Sequence, residues 1–209
     1  MKRHINLGVT DITERARSYV NDVLDSGWLS SHKYIPRFET QLARLHGHKY
    51  GVMMNSGTDA LRVALATLKE MHHWKDGDEV IVPAVTFVAT VNVVIQNNLK
   101  PVFVDVDFWT YNIDPWKIEY AITNKTRAIM PVHMFGLPAD LDSIVPIAKK
   151  HKLKVIEDSC ESMFAQPIKG DIGCFSTYIS HIVTTGVGGV LTTSNRNYER
   201  LARSYMNHG

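Results

Sequence analysis

Four short stretches of the chain carry residue types that could do chemistry together. The first, Asn55-Ser56-Gly57-Thr58, joins a strand end to a helix start. Unpaired amides at a helix N-terminus, added to the helix dipole, attract anions, and Gly57 leaves the backbone open to a phosphate. The same residues also read as an ordinary N-cap made by Ser56 or Thr58. The second, Thr86-Phe87-Val88-Ala89-Thr90, follows a strand ending at Pro83. Ligands bind at the C-terminal rim of a parallel sheet, so Phe87 is a candidate contact, although a single Phe is also ordinary core material. The third, Val155-Ile156-Glu157-Asp158, ends an apolar strand in two acids at that rim. A buried Asp158 needs a partner, whereas an exposed one would simply cap the next helix. The fourth, running from Asp171 to Thr193, holds Ser176, His181 and the pair Gly188-Gly189. An imidazole can move protons near neutral pH.

These stretches need elements to hold them. Apolar residues at Ile12, Ala16, Tyr19, Val20, Val23 and Leu24 recur at helical spacing. They predict a helix over 11–26, capped by Asp11 or Thr10 and broken at Ser26-Gly27. A loop carrying Trp28 follows, with the tryptophan expected to pack the amino-terminal helices together, and a second helix covers about 36–46. From Lys49 onward strands and helices alternate. Strands are expected over 49–54, 79–84, 101–106, 127–132 and 154–158, with two more flanking His181, the first over 174–177. Helices are expected over 59–69, 86–97, 114–122, 141–151 and 198–206, with Gly209 as the last helix stop. Runs such as VIV, VFVDV and VIED belong to strands covered on both faces, which implies a mostly parallel sheet. The chain thus divides into an N-terminal helical segment, residues 1–46, and a sheet domain, residues 47–209.

With 209 residues, 44% of them hydrophobic, the chain has mass for one good core. A formal net charge of +2 provides no field to attract nucleic acid or an anionic membrane. No apolar stretch reaches the roughly 20 residues of a membrane span. The basic start Met1-Lys2-Arg3-His4 lacks the apolar run of a secretory signal. Cys160 and Cys174 make neither a disulfide framework nor a metal-ligand spacing, and either suits a plain buried thiol. The expectation is a soluble, cytoplasmic chain without metal, nucleic acid or membrane.

Taken in order, the four stretches resemble the DegT/DnrJ/EryC1/StrS family of sugar-nucleotide aminotransferases, which use pyridoxal 5'-phosphate (PLP). The resemblance implies an α/β fold. It would be the three-layer α/β/α sandwich of a fold-type-I PLP-dependent transferase large domain, with the small C-terminal domain absent. Such a chain would be a truncation, a fragment or one product of a split gene. It implies that Ser56, Gly57, Thr58 and Ser176 surround the cofactor phosphate, that Phe87 stacks on the ring, and that Asp158 pairs with the ring nitrogen. Glu161 stands where the aminotransferases usually have glutamine or histidine, beside the ring hydroxyl. Asn207 would reach the partner's phosphate in a homodimer. A separate chain carrying the C-terminal domain is a further partner this reading admits. The segment from Ala165 to Gly170 is several residues shorter than is usual in such chains.

The departure with the largest consequence is His181, which occupies the place of the family's cofactor lysine; no lysine follows Lys169. A lysine both attaches the cofactor covalently and moves protons; an imidazole can do only the second. The pattern is similar to the 3-dehydratase branch of the family, which works with pyridoxamine 5'-phosphate (PMP). The implied catalytic residue is His181, the implied reaction is 3-dehydration of a nucleotide-linked 4-keto-6-deoxy sugar, and the context is surface polysaccharide synthesis. The alternatives are an aminotransferase relative, or a catalytically inactive or split-half subunit.

Overall fold

In the computed structural model, which describes residues 11–31 and 33–208, the apolar runs become strands. They are β1 (Tyr50–Met54), β2 (Glu79–Pro83), β3 (Lys100–Val104), β4 (Thr126–Ile129), β5 (Lys154–Asp158), β6 (Ile172–Ser176) and β7 (Gly189–Thr193). They form one sheet in the order β1-β7-β6-β5-β4-β2-β3. Neighbours run parallel from β6 to β3, while β7 is antiparallel to both β1 and β6.

Alternation along each strand sends successive side chains to opposite faces, and helices cover both. Ile156, Cys174 and Leu191 pack with Leu61 and Leu65 of α3 (Gly57–Met71), Val93 of α4 (Val88–Gln96) and Ala202 of α7 (Arg196–Asn207). Val155 points the other way, onto Ile118 of α5 (Pro115–Ala121) and Ile144 of α6 (Leu141–Lys150). Phe175 and Val190 meet Leu42 of α2 (Tyr34–Leu45) on that same side. The result is a three-layer α/β/α sandwich. Each fully buried Leu, Ile or Phe contributes about 1.5–3 kcal/mol.

Several elements depart from expectation for local reasons. α1 (Glu14–Asp25) is capped by Thr13, whose hydroxyl accepts from the Ala16 amide at 3.1 Å, rather than by Asp11; Thr10 and Gly209 lie outside the described residues. β4 stops at Ile129 rather than residue 132, because Pro131 has no amide to donate. Pairing persists beyond it only as a Met130 bond to the Ile81 carbonyl and a bridge between Val132 and Asp158. α3 starts two residues earlier than expected because Ser56 caps it. Trp28 does not pack between the helices: it is 56% exposed, and its indole N–H donates to the Ser31 carbonyl. No helix among the described residues is long and apolar enough to cross a membrane.

The topology brings the ends of β1, β2, β5 and β6 to one rim. β7, entering antiparallel, starts at that rim too, with Gly189 in register with both Met54 and Ser176.

Candidate functional site

At the N-terminus of α3 the two readings of Asn55-Ser56-Gly57-Thr58 coexist. Ser56 is extended at φ −163° and its hydroxyl accepts from the Asp59 amide at 3.1 Å. The first helical bond runs from Ala60 to the Ser56 carbonyl at 3.0 Å. The amides of Gly57 and Thr58 precede it and have no helical acceptor, so they remain available to an anion. Gly57 is required for a further reason. A Cβ there would lie 2.7 Å from Cys160 Sγ and 2.8 Å from Ser176 Cβ. Behind it, a Cβ on Gly189 would lie 2.2 Å from the Ser56 carbonyl. Two glycines therefore let helix, strand and loop converge where the free amides point.

Asp158 ends β5 and is almost fully buried, with 4% exposure. Its Oδ2 accepts from Thr90 Oγ1 at 2.9 Å, and its Oδ1 accepts from the Cys160 amide at 3.2 Å. No cationic side chain pairs with it among the described residues. Burial raises its pKa above the ordinary carboxylate range, and the thiol and amide of Cys160 with the Thr90 hydroxyl pull it partly back. Burial likewise pushes the Cys160 thiol well up, with the neighbouring Asp158 charge adding to it.

A cavity of about 450 Å³ collects the predicted residues. Ser56, Gly57, Thr58, Phe87, Asp158, Glu161, Ser176 and His181 all line it. Ser176 ends β6 and accepts from the Tyr178 amide at 3.2 Å, which leaves its own proton free to donate. Phe87 sits at the N-cap of α4 and is 67% exposed, so it is a rim residue and not core. Glu161 is engaged already, its Oε2 accepting from the Phe135 amide at 3.0 Å. His181 is half-buried in an irregular loop; its amide donates to the Tyr178 carbonyl at 3.0 Å, and its ring makes no hydrogen bond among the described residues. Asn207 is the exposed last residue of α7 and does not line the cavity.

Sequence reasoning missed Thr90 and the cavity role of Cys160, which chain position alone does not reveal. It also missed the buried pair behind the wall. His133 Nδ1 accepts from the Ala139 amide at 2.9 Å, so its proton sits on Nε2 and points to Glu157 Oε2, 2.9 Å away. The other oxygen, Glu157 Oε1, accepts from the Lys169 and Gly170 amides at 2.7 and 2.5 Å. The pair is sealed, with side-chain exposures of 1% and 0%. The His133 amide in turn donates to the Asp158 carbonyl at 3.0 Å, so the pair braces the strand end that carries Asp158.

The donor set fits a phosphorylated, cationic ring: free amides and a free hydroxyl stand beside one part of the cavity, and a buried acid lacking a counter-charge stands at another. Comparison with known proteins points the same way. The model of the DegT/DnrJ/EryC1/StrS aminotransferase family matches residues 10–209. GDP-perosamine synthase of Escherichia coli O157:H7 is 39% identical over 207 residues, covering 95% of this chain and 56% of that protein. The dTDP-4-dehydro-2,6-dideoxy-D-glucose 3-dehydratase of Saccharopolyspora spinosa is 39% identical over 183 residues, covering 83% and 40%. Among solved structures, E. coli GDP-4-keto-6-deoxy-D-mannose-3-dehydratase with bound hydrated PLP superposes with a TM-score of 0.87 at 33% identity. That match covers 93% of this chain and 52% of that one. The chain spans about half the length of the relatives it matches.

Proposed function

Because this chain belongs to the DegT/DnrJ/EryC1/StrS aminotransferase family, we propose that its cavity holds PLP or PMP and serves 3-dehydration of a nucleotide-linked 4-keto-6-deoxy sugar. The observation that carries this reading is His181 in a cavity that no lysine lines among the described residues, in a chain without any lysine after Lys169. When bound, the cofactor ring supplies an electron sink for negative charge developing on the neighbouring carbon. The chain's own groups do the rest. The Gly57 and Thr58 amides and the Ser176 hydroxyl hold the phosphate, with Ser56 keeping the helix start in shape. Asp158 balances the positive ring nitrogen, and Phe87 covers the ring from the rim. The unprotonated ring nitrogen of His181 takes a proton and returns it. Glu161, held by the Phe135 amide, presents an acidic edge where an amide or imidazole is usual. The cofactor-binding domain takes residues 47–209; of the helices before it, α1 buries none of its own residues, whereas α2 packs Leu42 against Phe175 and Val190.

A titration of the purified chain tests this. PLP should bind with the absorbance of a free aldehyde and should not be fixed at residue 181 by borohydride, while PMP should bind at least as well. Asp158→Asn should weaken PMP by at least about tenfold, because the ring nitrogen loses its counter-charge in a dry site. Equal affinity in that variant would remove Asp158 from the role, and failure of both cofactor forms to bind would leave the inactive or split-half reading.

The same reading includes a homodimer in which Asn207, exposed at the end of α7, faces the partner's phosphate. Light scattering at micromolar concentration with PMP should give twice the 23.6 kDa chain mass; a single-chain mass would count against it.

A further inference from the structure

Residue 90 is an unexpected place for a threonine. It lies wholly buried inside α4, next to Val91, Val93 and Val94, where a valine would pack as well. As the third residue of α4 it lies in the first turn, where no earlier helical turn stands behind it to take its hydroxyl. Here Thr90 Oγ1 instead lies 2.8 Å from Thr86 Oγ1 and 2.9 Å from Asp158 Oδ2. Proton counting sets the direction. An ionised carboxylate only accepts, so Thr90 gives Asp158 its single proton and receives that of Thr86.

We propose that Thr86 and Thr90 form a two-hydroxyl relay that positions Asp158, holding its carboxylate ionised and aimed into the cavity. The proposal rests on the reading of Asp158 as the partner of a cationic ring. Helix α4 and strand β5 are 68 residues apart in the chain at this contact, and the relay is what ties them at the rim. Without the Thr90 hydroxyl, Oδ2 would lose that donor, leaving the thiol and amide of Cys160 alone against the burial that favours the neutral acid. A neutral Asp158 offers a cationic ring no charge. The relay is therefore a positioning device that acts through Asp158 and makes no contact with substrate. The titratable groups around Asp158 are His133 after β4, the thiols of Cys160 and of Cys174 on β6, and Glu161 and His181 across the cavity.

Thr90→Val keeps the shape and removes the hydroxyl; Thr90→Ser keeps the hydroxyl. Two measurements on the full chain separate the possibilities: a carbon-13 NMR titration of the Asp158 carboxyl without cofactor, and PMP affinity by fluorescence across pH. Thr90→Val should raise the Asp158 midpoint by about one pH unit and weaken PMP about tenfold near neutral pH. Thr90→Ser should restore both, and Thr86→Val, at a half-buried residue, should give a smaller shift of the same sign. That variant carries the test should Thr90→Val fold poorly. An unchanged midpoint in the valine variants overturns the proposal. So does an equal loss in the valine and serine variants, which would mark a packing effect. If the wild-type chain binds no PMP while Thr90→Val still moves the midpoint, the cofactor reading fails and the relay stands.

Discussion

His181→Asn should keep most of its affinity for PMP and lose about 10²–10⁴ in the rate of proton removal from the cofactor's exocyclic carbon. The measurement is deuterium wash-out from that carbon in the presence of a 4-keto sugar nucleotide. The expectation follows from how the residue is held. The loop between β6 and β7 is closed at its neck by Thr177 and Thr185, whose hydroxyls lie 2.7 Å apart, and by the Thr185 amide on the Thr177 carbonyl at 3.0 Å. The loop is therefore tied down while the imidazole itself, without a hydrogen bond among the described residues, stays half-buried at the cavity wall. Asparagine retains polarity at that position but has no group that exchanges protons near neutral pH. His181→Lys should restore borohydride fixation at position 181. A His181→Asn protein with an unchanged wash-out rate would take proton transfer away from this residue. One that lost cofactor binding would make His181 a grip and not a base.

The largest effect on stability is expected behind the cavity. Glu157→Leu should cost at least about 3 kcal/mol, read as a lowered midpoint in urea denaturation. Three buried donors, His133 Nε2–H and the amides of Lys169 and Gly170, converge on the carboxylate. Each buried donor left without an acceptor costs about 1–3 kcal/mol, and leucine offers none of them a partner. A change below about 1 kcal/mol would mean that the segment before β6 rearranges to satisfy those amides elsewhere.

Much of this architecture can be read from the chain alone because the signals are local. An apolar strand ending in acid, a Ser-Gly-Thr at a helix start and a hydroxyl before a histidine each state their geometry within a few residues. What could not be read depends on contacts between distant residues. Thr90 looks like any small residue in an apolar helix until α4 is laid against β5. Cys160 reads as a buried thiol, and only the fold shows it bonding to Asp158 through its amide and filling the space under Gly57. His133 and Glu157 belong to different loop-and-strand units, so neither announces the other. Trp28 misled because a large aromatic suggests burial, whereas its ring lies in the open. Asn207 rests on the resemblance, since its role would need a second chain.

Ser176 and Gly189 face each other across the last rung that pairs β6 with β7, and everything between them leaves the sheet and returns at the same point. His181, the proposed proton carrier, thus rides on a cassette with both ends clamped to the scaffold. Closing such an excursion depends only weakly on its length, roughly 0.6 kcal/mol per doubling. The sheet can therefore accept another loop, with another reactive side chain at its tip, while the anion cradle and the buried acid stay in place. A lineage built on this scaffold can change reaction type by editing one surface insert, leaving its core untouched.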